Sequence, residues 1–267
     1  MLRQRVITAI WGIPLLFIAI WFDEPLPWFT LLVAIWGVLA AFEFYRMVAA
    51  AKVSPLTYFG MLWVLLLILS PHFNPEFRTP LLLTSAVVTS IIWLLLRRDK
   101  REAFASWAWT IAGILYIGWL LSHMTALRGL DDGRNWVCFV FVITLVSDTT
   151  AYFAGRALGR HRLAPQVSPG KTWEGAIAGI FSAIIFSFLF IMATPLRLPL
   201  SYGQTILLGF LVSVFGQVGD LAESLLKRDM GVKDSGRMIP GHGGVLDRLD
   251  SIIFAGLVVH YYVVYFI

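Results

Sequence analysis

Apolar runs long enough to cross a lipid bilayer follow one another along almost the whole sequence. Nine such runs, each 15 to 20 residues long, are separated by short connections that carry most of the prolines and charges. A transmembrane helix needs about 20 predominantly apolar residues, and in lipid only helices or closed barrels satisfy every backbone polar group. The pattern predicts an all-α integral membrane protein, a polytopic bundle of about nine transmembrane helices. The predicted spans are Val6–Phe22, Leu26–Tyr45, Leu56–Ser70, Pro80–Leu96, Ser106–Ser122, Trp136–Ala154, Gly175–Thr194, Gly203–Ala222 and Ser251–Ile267.

The composition agrees with a membrane protein and excludes other classes. The chain is 58% apolar and 14% charged, and no soluble domain fits between the apolar runs. Its net charge of +5 comes from cations spread among those runs, so no nucleic-acid surface is predicted. The single cysteine, Cys138, is expected to be a packed core thiol. We interpret the first run as a retained span, because Asp23 and Glu24 follow it in place of a cleavage site.

Lysine and arginine are distributed unequally between alternate connections. With nine spans, 17 of the 21 cations fall on one side of the membrane and four on the other. Cations close to span ends stay on the cytoplasmic side. The N-terminus and the connections after the second, fourth, sixth and eighth spans are therefore predicted to be cytoplasmic.

Charge is concentrated before the last span. Ten of the 37 charged residues lie between Glu223 and Asp250, together with five glycines and one proline. A charge run alone is often a solvated connecting loop. Here carboxylates, cations and glycines are mixed, and a glycine-rich backbone is able to turn its N–H groups toward an anion. This mixture favours a site for phosphate and metal.

Two carboxylates at this end of the bundle are candidate metal ligands. Asp220 belongs to a polar stripe on the eighth predicted span, which brings it to the membrane surface, where it is able to approach Asp247. Two carboxylates and phosphate oxygens suit Mg²⁺. Asp247 and Asp250 also fit an acidic pair at a helix N-terminus, a role compatible with metal binding. The members of the stripe are Ser213, Gln217, Asp220, Ser224 and Lys227.

A further carboxylate and a short loop motif lie on the same side of the membrane. Asp148 is about six residues, or ~9 Å, from the cytoplasmic end of the sixth predicted span. Because an unpaired carboxylate near mid-bilayer costs roughly 2.5 to 3.5 kcal/mol, Asp148 is expected to face the bundle interior, in a site or in a clamp to a buried cation. The loop SPGKTWEG (168–175) is not a Walker A motif, since Pro165 replaces the required glycine. Lys171 and Thr172 nevertheless precede a helix whose first turn suits an anion.

These residues together resemble a long family signature. SLLKR (224–228), KDSG (233–236) and PGHGGVLDRLD (240–250) are similar to the signature of the phosphatidate cytidylyltransferases, also called CDP-diglyceride synthases. The resemblance extends to SD (147–148), AY (151–152) and the loop 168–175. It covers the C-terminal half, whereas the first five spans match only in hydrophobic character. We expect one polytopic membrane domain over 1–267, with less characteristic spans in 1–130 and the catalytic spans and loops in 136–267.

The resemblance implies a reaction, a setting and a set of site residues. CTP and phosphatidate would give CDP-diacylglycerol and pyrophosphate in the inner membrane of a bacterium, with Mg²⁺ at Asp220 and Asp247, potassium beside it, and a homodimer as the assembly. Asp148 is a further candidate metal ligand. The predicted catalytic residues are Asp220, Asp247, Lys227 and Arg248. The predicted substrate-binding residues are Ser168, Lys171, Thr172, Arg228, Lys233, Asp234, His242, Gly243, Gly244 and Asp250.

Two other functions remain open at this point. A CTP-dependent polyprenol or dolichol kinase would share the membrane and the nucleotide but would transfer the terminal phosphate to an alcohol. A transporter predicts inverted repeats and polar residues at the bilayer midplane. The sequence has no evident repeat, and its charge gathers at the cytoplasmic rim. His242 has no second ligand at suitable spacing, so zinc is not predicted there.

Overall fold

The computed structural model of the protein describes residues 12, 14–22, 27–73, 75–97, 102–193, 196, 198–239, 241 and 243–267. Residues 14–21 are helical, and a 3₁₀ turn covers Ser70–Phe73. A π-helical turn, Ile114–Trp119, joins the helices Ala103–Gly113 and Leu120–Arg128 into one continuous helix. The helices are α1 (Trp28–Ala50), α2 (Thr57–Leu69), α3 (Pro75–Leu96), α4 (Ala103–Gly113), α5 (Leu120–Arg128), α6 (Gly133–Leu158), α7 (Trp173–Ala193), α8 (Tyr202–Asp229) and α9 (Leu246–Phe266).

The helices agree with the spans predicted from hydropathy. Within the described ranges, seven helices are long and apolar enough to cross a membrane, and Thr57–His72 is a shorter apolar helix. The second to ninth predicted spans each coincide with one of them. Of the first predicted span, Val6–Phe22, residues 12 and 14–22 are described and 14–21 are helical, whereas its other residues lie outside the described ranges. The prediction of an all-α, multi-span membrane protein is confirmed.

The chain forms two compact units. The first comprises the residues up to Gly129 together with Asp229–Asp247, and the second comprises Leu130–Arg228 and Arg248–Ile267. The charged segment Asp229–Asp247, called the signature loop below, therefore belongs to the same unit as α1 to α5.

In the first unit, α1 is packed against α2 and α4 through one tyrosine. Tyr45 is fully buried, and its hydroxyl donates a hydrogen bond to the carbonyl oxygen of Thr110 at 2.8 Å. Its ring lies against Gly60 and Gly113, where a Cβ atom would collide with it. Only glycine at these two positions lets the three helices approach around the ring. The C-terminal half of α1 is thereby held in a defined orientation.

The π-helical turn accommodates a second close approach in this unit. A Cβ on Gly118 would lie 2.9 Å from Cα of Val64, so α2 contacts the turn at backbone level. About two turns later, Thr125 Oγ1 donates to the carbonyl oxygen of Ile68 at 2.9 Å. A π turn contains one residue more than an α turn, and this extra residue lies in the segment that contacts α2 at Gly118.

In the second unit, α6 and α7 form an antiparallel pair. They are joined by two short antiparallel strands, β1 (Arg162–Ala164) and β2 (Ser168–Thr172), a hairpin where the sequence suggested only a loop. Gly179 of α7 faces Ser147 of α6, and a Cβ on Gly179 would lie 3.1 Å from the Ser147 carbonyl oxygen. Small residues at such interfaces are the usual means of close helix packing in membranes. The Ser147 hydroxyl also lies 2.7 Å from that of Ser213 on α8.

Candidate active site

Asp220 lies near the end of α8, in the second unit, and is paired with a cation from the hairpin. The ammonium of Lys171 is 2.8 Å from Oδ2 of Asp220, and both side chains are partly buried. The Ser224 hydroxyl donates to Oδ1 of Asp220 at 3.3 Å. The structure therefore brings together two predicted site residues that lie on separate elements, β2 and α8.

Three carboxylates of this unit lie within electrostatic reach of one another. Asp148 and Asp250 each interact with the charge of Asp220, and Asp148 also accepts a hydrogen bond from the Ser251 hydroxyl. Close backbone contact explains this grouping, because a Cβ on Gly219 would collide with the carbonyl oxygen of Asp250. Gly219 thus allows α8 and α9 to meet beside the carboxylates.

Cations surround this group of carboxylates. Lys171 and Arg248 interact electrostatically with Asp148, and Lys227 does so with Asp250. The Lys227 ammonium also forms an ion pair with Glu223, whose side chain is fully buried. The clamp that the sequence suggested for Asp148 is consistent with these neighbours, and so is a site that holds a phosphorylated ligand.

The hairpin positions Lys171 through its neighbour. Thr172 is buried and precedes α7, and its hydroxyl accepts the backbone N–H of Gly175 at 3.2 Å, an arrangement that caps the helix. Ser168 is half-buried at the start of β2. The Arg228 guanidinium donates through Nε to the carbonyl oxygen of Val167 at 3.2 Å, next to Ser168. The predicted contacts of these residues with substrate stay predictions.

In the first unit, the signature loop is closed around Asp247. Both carboxylate oxygens of Asp247 accept the N–H of Ser235, at 3.1 and 3.3 Å, and Oδ2 also accepts the N–H of Gly244 at 2.7 Å. Gly243, with φ of +92°, adopts a conformation that other residues rarely accept. A backbone bridge between Ile239 and Gly243 completes the turn. His242 lies outside the described residues.

One carboxyl group in this cluster was not predicted from the sequence. Glu43 of α1 is 2% exposed, and its Oε2 accepts the Ser235 hydroxyl at 3.1 Å and the N–H of Leu246 at 3.0 Å. The available signal was a lone carboxylate inside the second predicted span, Leu26–Tyr45. An ionisable residue in a span is a functional candidate by default.

A cavity of about 690 Å³ lies beside this cluster in the first unit. Glu43, Arg46, Met47 and Ala50 line it from α1, and residues 232–238 line it from the signature loop. These loop residues include the predicted substrate-binding residues Lys233 and Asp234 and an exposed cation that was not predicted, Arg237. The volume falls within the roughly 300 to 1,000 Å³ that is usual for small-molecule sites.

The candidate metal ligands supply oxygen donors only. Across the described parts of the chain, no group of three or more His, Cys, Asp or Glu side chains is arranged to hold a metal ion. Asp220 already faces a cation, the Lys171 ammonium, and carboxylate oxygens suit a hard ion such as Mg²⁺. The donor chemistry therefore fits magnesium. Asp220 and Asp247 belong to different units, and their convergence on one ion stays a prediction.

Known proteins resemble this chain, two of those described here over nearly its full length. The sequence model of the cytidylyltransferase family matches residues 3–266. A phosphatidate cytidylyltransferase of Brucella abortus biovar 1 (strain 9-941) is 36% identical over 269 residues, which cover 97% of this chain and 92% of the relative. A protein of the same name from Bacillus subtilis (strain 168) is 33% identical over 267 residues, 95% of this chain and 94% of the relative. The uncharacterized protein YnbB of Escherichia coli (strain K12) is 40% identical over 162 residues, 61% of this chain and 53% of the relative. The chain belongs to the cytidylyltransferase family and is a nucleotidyltransferase.

Proposed function

We propose that this protein is a phosphatidate cytidylyltransferase, which converts CTP and phosphatidate into CDP-diacylglycerol and pyrophosphate. The observation that carries the proposal is the near-complete match to two bacterial relatives of that name. The geometry supports it, because the residues of the signature form closed clusters in both units and include many cations. Two polyanionic substrates need such a surface, since their phosphates repel each other.

In this reaction, a phosphatidate oxygen attacks the α-phosphorus of CTP, and the bond to the leaving pyrophosphate breaks. The attacking oxygen is already anionic, so no strong general base is required. The protein contributes by positioning and by charge neutralisation. We assign the holding of phosphate groups to Lys171, Lys227, Arg228, Lys233 and Arg248. The acyl chains of the lipid stay in the bilayer beside the apolar helices.

The cavity of the first unit suits the triphosphate of the nucleotide. Three cations line it, namely Arg46, Lys233 and Arg237, against the two carboxyl groups of Glu43 and Asp234. Glu43 is already engaged by hydrogen bonds within the signature loop. We therefore assign CTP phosphates to this cavity, in contact with Lys233.

Magnesium is the proposed cofactor, with potassium beside it as the resemblance implies. Asp220 and Asp247 would hold it, with Asp148 as a further ligand. The ion would supply positive charge at the α-phosphate and at the leaving pyrophosphate. Lys171, which is paired with Asp220 in this structure, would be available to hold a phosphate group once Asp220 held the ion.

We further propose that the protein lies in the bacterial inner membrane as a homodimer, with its N-terminus and the signature loop in the cytoplasm. The split of 17 cations against four supports this orientation. A cytoplasmic loop also gives the site direct access to CTP. The homodimer rests on the family resemblance alone.

A labelled-nucleotide experiment tests the reaction. Purified protein in detergent is supplied with phosphatidate, Mg²⁺ and CTP that carries label at either the α- or the γ-phosphate. We expect α-label in the lipid phase and γ-label in water as pyrophosphate. γ-label in the lipid with α-label left as CDP would refute the proposal and identify a lipid kinase. Protein with Asp220→Asn, prepared in parallel, controls for a contaminating enzyme.

A further inference from the structure

Glu43 connects an apolar helix to the signature loop. It lies in α1, far from the loop along the chain, yet it is 2% exposed and its Oε2 accepts two hydrogen bonds from loop residues. The donors are the hydroxyl of Ser235 at 3.1 Å and the N–H of Leu246 at 3.0 Å. A buried acceptor that binds two groups of one loop restricts that loop more than an exposed contact would.

These two donors are the neighbours that determine where Asp247 lies. Ser235 donates its hydroxyl to Glu43 and its backbone N–H to Asp247, so the two carboxyl groups lie on either side of one residue. Leu246 immediately precedes Asp247 in the chain. Glu43 therefore fixes both the residue that binds Asp247 and the backbone from which Asp247 extends.

The loop backbone lies directly against this carboxyl group at two glycines. A Cβ on Gly236 would collide with Oε1 of Glu43, and a Cβ on Gly244 would collide with Oε2 and with the Ser235 hydroxyl. The two glycines thus allow the loop backbone to close directly on the Glu43 side chain. Because the loop backbone packs this closely, a longer or shorter side chain than that of Glu43 would not make the same contacts. The contact between Glu43 and the loop is therefore specific and not incidental burial.

The second oxygen of Glu43 has a different environment. Oε1 is buried and has no hydrogen-bond partner within the part of the chain that the structure describes. An unsatisfied buried acceptor is unfavourable for folding alone. An unsatisfied carboxyl oxygen beside the cavity lined by Lys233 and Arg237 is explained if Glu43 has a role in the site in addition to its role in folding.

We propose that Glu43 is a positioning residue for the reaction, acting through Ser235 and Leu246 to hold Asp247 and the cavity-lining loop in their working arrangement. The inference rests on the proposed function, since it states how the same site is organised. Glu43 does not take part in the chemistry. Its loss is expected to lower kcat and loosen the signature loop, while the helices keep their fold.

The experiment compares Glu43→Ala, Glu43→Gln and Ser235→Ala with wild type and with Glu102→Gln, an exposed glutamate before α4 that serves as a matched control. Hydrogen exchange of peptides from 229–247 is measured without substrate or metal, and kcat and KM are measured for both substrates. For Glu43→Ala, we expect exchange in this loop to be at least about tenfold faster and kcat at least about tenfold lower. A tenfold change corresponds to about 1.4 kcal/mol, and two buried hydrogen bonds are lost together.

The other variants separate positioning from general destabilisation. Glu43→Gln keeps an acceptor and the side-chain length, so it is expected to restore most of the loop protection and activity. Ser235→Ala removes one of the two donors and is expected to have an intermediate effect on loop exchange and kcat. This variant tests the positioning role if Glu43→Ala does not fold. KM for phosphatidate is expected to change less than twofold, because the lipid does not depend on this loop for its bilayer contacts.

Two results would overturn the inference. In the first, both the exchange rate of the loop and kcat of Glu43→Ala stay within twofold of the wild-type values. In the second, exchange in peptides from α6 and α7 accelerates as much as exchange in the loop, which would indicate global loosening. If Glu43→Ala does not fold, wild-type loop exchange and wild-type kcat in Ser235→Ala would likewise overturn the inference. If wild type forms no CDP-diacylglycerol, the proposed function fails, whereas the exchange result for the loop is interpreted independently.

Discussion

Replacing Gly175 by alanine is expected to separate α7, which directly follows the strand that carries Lys171, from α6, which carries Asp148. A Cβ at this position would lie 2.5 Å from the carbonyl oxygen of Ala151 on α6 and 3.1 Å from the Thr172 hydroxyl that caps α7. Ordinary contact begins at 3.4 Å, so the helices must move apart. The obstructing atom belongs to the backbone and cannot turn aside. Overpacking of this kind costs roughly 1 to 3 kcal/mol.

The assay is thermal unfolding in detergent together with the rate of CDP-diacylglycerol formation. For a chain of this size, each kcal/mol of lost stability lowers the unfolding temperature by roughly 2 to 4 °C. We therefore expect Gly175→Ala to unfold about 2 to 12 °C below wild type. Gly203→Ala is the matched control, because Gly203 also lies in the first turn of a helix but has no atom within 4 Å of its Cβ position. Both variants gain the same helix propensity, up to about 1 kcal/mol. Their difference therefore measures the helix contact.

Equal stability of the two alanine variants would refute the predicted strain between α6 and α7. If Gly175→Ala and Gly203→Ala unfold at the same temperature, α6 and α7 adjust without strain, and the close approach does not hold the pair in place. A loss of stability with an unchanged rate would show that the pair matters for folding and not for the position of Lys171. We expect Gly175→Ala to lose both thermal stability and the rate of CDP-diacylglycerol formation.

The remaining predictions concern the metal and the topology. Asp220→Asn and Asp247→Asn are each expected to lower turnover more than tenfold, because an amide is a poorer Mg²⁺ ligand than a carboxylate; more than about a tenth of wild-type activity in both would contradict the metal assignment. Removal of divalent ions by EDTA is expected to abolish product formation in wild type, and added Mg²⁺ to restore it; activity that persists in EDTA would exclude a magnesium requirement. In a background without Cys138, a thiol reagent that cannot cross the membrane is expected to label Asp131→Cys from outside intact cells and to leave Lys233→Cys unlabelled; the reverse pattern would invert the topology.

The spans could be predicted from the sequence because each depends only on its own hydropathy. Eight predicted spans coincide with helices, and Cys138 is buried as expected. The pairing of Lys171 with Asp220 depends on a hairpin that short-range patterns did not reveal. Glu43 was missed for the same reason, since its two partners lie 192 and 203 positions further along the chain. Hydropathy determines which segments are helices, but the partners of a buried carboxyl group depend on tertiary packing.

The π-helical turn at Ile114–Trp119 predicts which changes in chain length the first unit tolerates. Because the turn contains one residue more than an α turn, deletion of a single residue there would return it to regular α geometry. Gly113 would still face Tyr45, and Thr125 would still face Ile68. The same deletion within α1 would rotate every later residue by about 100° around the helix axis and turn Glu43 away from the loop. Among homologous sequences, single-residue gaps are therefore expected at this turn and not in the helix that carries Glu43.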